Sequence, residues 1–114
     1  MKIVTLDVQP LSEGLAAFAR SLKVRKAETS AHISFETPEL LWKVLGAKRW
    51  DLLKAMVGHG PLTIRGAARR VGRDVKAVHA DVRALLDTGI IQQSDGRIDF
   101  PYDAIHVDFV LKAA

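Results

Sequence analysis

The chain has 114 residues, 48% of them hydrophobic, and carries 17 Lys and Arg against 13 Asp and Glu for a net charge of +4. That length suits one domain with a modest core, and the apolar content argues against disorder. Without Cys there is no disulfide framework or thiolate metal site, and no apolar run approaches the roughly 18 residues that cross a bilayer.

The charge is unevenly distributed. Nine basic residues fall between Lys43 and Lys76 against Asp51 and Asp74 alone, whereas Asp95 to Asp108 holds four Asp against Arg97. A basic middle suits a polyanion, and an acidic end section suits one only if it faces elsewhere. Solubility alone could produce the same net charge.

Lys2 to Val8 reads as a strand with Val4, Leu6 and Val8 on one face, and its Asp7 argues against a secretory signal, so a cytoplasmic protein with no membrane partner is expected. After Pro10 the period changes. Leu11, Leu15, Phe18 and Leu22 form a helical stripe, weakened by Gly14 at roughly 1 kcal/mol relative to Ala. Arg20, Lys23, Arg25 and Lys26 cluster at its end, where they suit a helix C-terminus and solvent better than phosphate. Ala31 to Phe35 is a second strand, with Ile33 and Phe35 on one side and His32 and Ser34 on the other.

Thr37-Pro38 is a helix start, with Thr as cap and Pro in the first turn. Leu41, Trp42, Val44 and Leu45 are its expected buried side, and Gly46 breaks it. A helix from about Lys48 is expected to turn Trp50, Leu53, Met56 and Val57 inward and to leave Lys48, Arg49 and Lys54 wet. Both Trp side chains read as core, not as stacking platforms for bases. Gly58-His59-Gly60-Pro61 is a turn, after which Thr63 caps a short helix with Ile64, Ala67, Ala68 and Val71 inward. Arg65, Arg69 and Arg70 are left for solvent or phosphate.

Gly72 ends that helix and Asp74 caps the next, whose apolar stripe is Val75, Val78, Val82, Leu85 and Leu86. Arg73, Lys76, Ala77, Ala80 and Ala84 lie toward the other face, which is basic at its start and lined with small side chains. That is the shape a helix needs to enter a DNA major groove, although an ordinary solvated face has the same pattern. Arg83 joins the groove-facing set, while His79 reads as an edge residue.

Gly89 ends the helix, and Asp95-Gly96 is a two-residue hairpin turn between Ile90 to Gln93 and Arg97 to Phe100. Arg97 stands on the hairpin tip. Helix, helix, hairpin is the winged arrangement. The last stretch alternates Ile105, Val107, Phe109 and Leu111 with His106, Asp108, Val110 and Lys112, a strand whose partner would be either of the first two, in the same chain or across a dimer. The expected fold is therefore α+β, a winged helix-turn-helix with an added N-terminal strand and helix and a C-terminal strand. Residues 1–114 read as a single DNA-binding domain. Residues 1–36 form an extension that is a candidate dimerisation element, 38–100 the winged core and 101–114 the final strand.

The runs ISFETPELLWKVLGAKRWDLLKAM, GPLTIRGAARRVGRDVKAVHADVRALLDTGII and DGRIDFPYDAIHVDF resemble a family of small prokaryotic winged helix-turn-helix proteins described as predicted transcriptional regulators. They are distantly like the multiple-antibiotic-resistance and arsenical-resistance repressor groups. The resemblance spans roughly Ala31 to Leu111 and is strongest from Pro38 to Gly89. It implies that Thr63 to Val71 is a positioning helix, Asp74 to Asp87 a recognition helix and Gln92 to Asp99 a wing. Gly66 departs from the usual Glu, which removes the reciprocal half of a capping box with Thr63. Some members are thought to be antitoxin-like partners of a neighbouring toxin.

The resulting expectation is a sequence-specific double-stranded DNA-binding regulator, a homodimeric repressor acting by promoter occlusion, with no cofactor. Arg65, Arg69 and Arg70 would contact phosphate, and Arg73, Lys76, Ala77, Ala80 and Arg83 would face the groove, with Arg97 on the wing. The alternative is an antitoxin-like or other protein-interaction module. An enzyme is not expected, because His32, His59, His79 and His106 make no short metal motif and Asp74, Asp81 and Asp87 do not share one helix flank.

Overall fold

The computed structural model of the protein describes residues 1–9 and 30–110. The helix expected from Leu11, the basic cluster Arg20 to Lys26 and the pair Leu111 and Lys112 lie outside the described residues. Within them the chain is α+β, with strands β1 (Ile3–Val8) and β2 (Ser30–Phe35), helices α1 (Pro38–Val44), α2 (Ala47–Met56), α3 (Ile64–Val71) and α4 (Val75–Thr88), the hairpin strands β3 (Gln92–Ser94) and β4 (Arg97–Asp99), and β5 (Ala104–Asp108).

Two sheets form. β1 lies between β2 and β5 and runs parallel to both, with Leu6 beside Ile33 and Val107 in the ladder. The final strand thus finds its partner in its own chain. Because side chains alternate along a strand, this register gathers Val4, Leu6, Ile33, Phe35, Ile105 and Val107 on one face and Thr5, Asp7, His32, Ser34, His106 and Asp108 on the other. The second sheet is the β3–β4 hairpin, turned by Asp95 and Gly96 with φ of 52° and 75°, the pair of left-handed residues that such tight turns require. Leu62 extends it by exchanging both backbone hydrogen bonds with Ile98, at 2.9 and 2.8 Å.

The core is continuous from the sheet to the hairpin. Val4 and Leu6 of β1 pack in the same apolar cluster as Leu41 of α1, Leu52, Leu53 and Met56 of α2, Ala67 and Ala68 of α3, Val78, Val82 and Leu85 of α4, and Ile90, Ile91, Ile98 and Phe100 around the hairpin. Helix ends follow the expected chemistry. Thr37 Oγ1 accepts from the Leu40 amide at 3.2 Å with Pro38 in the first turn, and Gly46 both ends the run and precedes α2.

Up to the end of α2, three apolar residues expected inside are not. Trp42 is 52% exposed, Trp50 37% and Val57 38%. Successive residues of a helix differ by about 100°, so α1 can point Leu41 and Leu45 into the core only by turning Trp42 away from its centre. Trp42 instead packs edge-to-face on Phe109, with centroids 5.4 Å apart. In α2 the adjacent pair Leu52 and Leu53 takes the core face with Met56, and Leu52 is not among the inward residues that the apolar pattern predicts. Leu41→Ala should therefore cost about 2–5 kcal/mol, a buried-cavity loss, and Trp42→Ala about 1 kcal/mol despite the larger side chain. Urea unfolding measures both, and equal losses would contradict this packing.

Candidate nucleic-acid interface

Helices α3 and α4 are joined by one tight turn whose geometry is written locally. Thr63 Oγ1 accepts from the Gly66 amide at 3.0 Å and so satisfies one free donor of the first turn of α3. Gly66 supplies no carboxylate to return the bond. A Cβ there would lie 3.2 Å from the Thr63 hydroxyl, so the position is also close-packed against its own cap. At the other end Gly72 is left-handed, with φ of 67°, and the Arg73 amide reaches back to the Ala68 carbonyl at 3.1 Å. Asp74 then caps α4, its Oδ2 accepting from the Lys76 amide at 3.0 Å. Both caps fall where the sequence predicts.

The buried side of α4 is Val78, Val82 and Leu85, with Leu86 half-buried. Val75, expected on the same stripe, is 40% exposed, because in the first turn it sits at the edge of the stripe and beyond the core that Val78 reaches. Opposite the stripe, Lys76, Ala77, Ala80 and Arg83 are all exposed, and Ala84 is half-buried. Arg65, Arg69 and Arg70 are exposed on α3, and Arg97 is exposed on β4 beside the hairpin turn. His79 is exposed at the edge of a shallow cavity of about 50 Å³, which Ile64, Val82, Arg83, Leu86 and Gln93 also line. That cavity joins α4 to the hairpin. A larger open cleft of about 530 Å³ lies along the hairpin itself, lined by Pro61, Gln92, Gln93, Ser94, Asp95, Arg97 and Asp99. Its lining is polar and mixed in charge.

Arg73 corrects the expected groove-facing set. Its side chain is largely buried, with Nη2 2.7 Å from Asp81 Oδ2. The contact is close but not an in-line hydrogen bond, and Arg73 Nη1 finds no partner among the described residues. The other Asp81 oxygen accepts a hydrogen bond from Arg49 Nε at 3.0 Å. Arg49, expected to stay wet, is thus tied inward as well, and its Nη1 donates to the Lys43 carbonyl at 2.7 Å, at the end of α1. One carboxylate on α4 holds two guanidinium groups, one from the turn before it and one from α2. By sequence Asp81 is only a poor candidate acid, and this role is missed. The signal for it is an acidic residue one turn from Val78 and Leu85, on the flank of an otherwise apolar face.

A second unanticipated cluster lies on the polar face of the three-stranded sheet. Asp7, nearly buried, accepts from Ser34 Oγ at 2.6 Å and from Gln9 Nε2 at 3.0 Å, with His32 Nε2 3.9 Å away. Among the described residues no three His, Asp or Glu side chains converge as metal ligands would. None of the helices there is long and apolar enough to cross a membrane.

The chain belongs to the HVO_A0114 family, whose model matches residues 44–107, more than half of its length. No curated protein and no solved structure matches it. The matched span runs from the last residue of α1 through all but the end of β5 and includes Arg49, Arg73 and Asp81.

Asp81→Asn should remove the charge that holds both guanidinium groups and lower stability by about 1–3 kcal/mol, since each would remain poorly hydrated and incompletely paired. Lys76→Ala, on the exposed face, should change it by less than about 0.5 kcal/mol. Thermal or urea unfolding of the two variants makes the comparison, and an unchanged Asp81→Asn would reduce the arrangement to an accident of the surface.

Proposed function

We propose that the protein is a winged helix-turn-helix regulator that binds double-stranded DNA, with α4 entering the major groove, α3 positioned across the backbone and the β3–β4 hairpin as the wing. The observation that carries this reading is the exposed face of α4, where Lys76 and Arg83 flank Ala77 and Ala80. Two cations supply donors for base edges, and the two methyl side chains between them let the helix approach closely. Arg65, Arg69 and Arg70 on α3 and Arg97 on the wing suit phosphate, which fixes register without reading sequence. Arg73 is removed from the base-reading set, because Asp81 holds its guanidinium inside.

In this reading the protein acts in the cytoplasm as a homodimeric repressor that occludes a promoter, distantly akin to the multiple-antibiotic-resistance and arsenical-resistance repressors. A second reading, a module whose main partner is a protein such as a toxin, is favoured by one observation: Trp42 and Val110, large apolar side chains outside α4, are exposed at 52% and 72%.

Fluorescence anisotropy with a duplex from the protein's own promoter and with a scrambled duplex, each across a salt series, separates the readings. The promoter should be preferred, and a Lys76→Ala, Arg83→Ala double variant should lose about 1–3 kcal/mol of that preference for each bidentate interaction removed while remaining folded. Replacing Arg65, Arg69 or Arg70 should weaken both duplexes alike and reduce the slope of log affinity against log salt by about 0.9 for each phosphate left without its cation. Equal, weak and salt-sensitive binding to both duplexes would overturn specific regulation and leave the protein-partner reading.

A further inference from the structure

We infer that the outer edge of β5 is the surface through which two copies of this chain pair, antiparallel about a two-fold axis at His106, to form a continuous six-stranded sheet. This pairing deepens the dimeric part of the DNA-binding reading, on which that aspect rests, but is tested without DNA.

The first ground is the edge itself. β5 pairs with β1 through an unbroken register from Ala104 to Asp108, and among the described residues nothing pairs with its other side. The Ala104 amide donates to the Lys2 carbonyl. Alternate residues of a parallel strand direct both backbone groups to the same neighbour, so Ala104, His106 and Asp108 serve β1 while Ile105 and Val107 direct an N–H and a C=O outward. Proteins that keep such an edge single blunt it with charged side chains, Lys above all, with Pro or with a bulge. Ala-Ile-His-Val-Asp has no Pro, Lys or bulge, and its one charge, Asp108, stands at the strand's end.

The second ground is self-complementarity. A two-fold axis pairs like surfaces, and for edge strands in one sheet it pairs them antiparallel. A five-residue strand overlaps its copy completely in one register only, with its central residue opposite itself. Here that residue is His106. Ile105 then exchanges both backbone hydrogen bonds with the partner's Val107, and Val107 with the partner's Ile105. Asp108 stands opposite the partner's Ala104, so no carboxylate faces another directly. On the exposed face each His106 lies diagonal to the partner's Asp108, where an imidazole N–H can donate to the carboxylate.

The third ground is the apolar surface at the end of the strand. Val110 is 72% exposed, and Trp42, although it packs on Phe109, is still 52% exposed. Val110 follows the strand by two residues, so the axis that satisfies the edge also brings a large exposed apolar side chain to the end of the seam. β2, the opposite edge, has no exposed large apolar residue among its described positions.

Sedimentation velocity on the full chain at micromolar concentration, without DNA, tests the pairing. The native chain should sediment as a dimer. His106→Asp and His106→Lys, both at an exposed position, should each weaken it by about tenfold or more through like charges placed opposite one another, and an equimolar mixture of the two should restore a heterodimer. Val110→Asp should weaken the dimer independently while leaving the circular dichroism spectrum unchanged. A monomeric native chain, or His106 variants that remain dimeric alone, would overturn the inference. A monomer that still prefers its promoter would do so while leaving DNA recognition intact.

Discussion

The arrangement of the helices depends on a single carboxylate. Asp81 lies on α4 but serves α2 through Arg49 and the α3–α4 turn through Arg73, and Arg49 extends the connection to the last carbonyls of α1. Apolar packing is weakly directional: Val78, Val82 and Leu85 would tolerate small rotations of α4 with modest loss, whereas an ion pair at 2.7 Å and a hydrogen bond at 3.0 Å do not. Charges in such a place gain little net stability over well-packed apolar side chains, because desolvation offsets most of their attraction. What the arrangement contributes is orientation. Together with the apolar stripe Val78, Val82 and Leu85, it leaves Lys76, Ala77, Ala80 and Arg83 facing outward.

The same ion pairs change the electrostatics of the basic middle of the chain. Counted from sequence, Arg49 and Arg73 add to a dense cationic segment. In the fold both converge on Asp81, whose one negative charge offsets one of their two and holds both side chains inward, so the cations that this segment presents outward are Arg65, Arg69, Arg70 and Lys76, together with the lysines of α1 and α2. A formal charge count overstates the field of a surface whenever basic and acidic residues distant in sequence meet in the fold, and here the nearest pair, Arg73 and Asp81, are two helical turns apart.

Much of the local structure is legible in the residues. Thr37-Pro38, Thr63, Asp74, Gly72, Gly89 and Asp95-Gly96 act within a few positions of themselves, through caps and left-handed turns, and each element boundary they mark falls within a residue or two. Angular position is less legible. A helix stripe read from apolar identity alone admits any large hydrophobe near its edge, which is why Trp42, Trp50 and Val75 are expected inside and Leu52 is passed over. Least legible are interactions at long sequence range. Asp81 with Arg49, Asp7 with Ser34, and the parallel pairing of β1 with β5 all join residues whose types are ordinary at their own positions.

β5 shows how these levels meet. Its alternation marks it as a strand, and its apolar side, Ile105 and Val107, packs against the core through β1. The HVO_A0114 match ends at Val107, inside β5, while β1 lies outside the matched span. A parallel strand cannot be joined to its neighbour by a tight turn and needs a long crossover, and here most of the chain forms it. The helices and hairpin therefore lie within the connection between β1 and β5, two strands that pair directly once that connection has folded back. That closure brings Asp103 back to the amino terminus, where its carboxylate accepts from the Lys2 amide at 2.7 Å and its own amide donates to the Lys2 carbonyl at the same distance. Asp103 and Asp108, the later half of the acidic section, are thereby anchored at the three-stranded sheet, while Asp95 and Asp99 stay on the hairpin beside Arg97. The acidic section of the sequence is thus divided between two places, because the three-stranded sheet takes up the chain's last strand while the hairpin keeps Asp95 and Asp99.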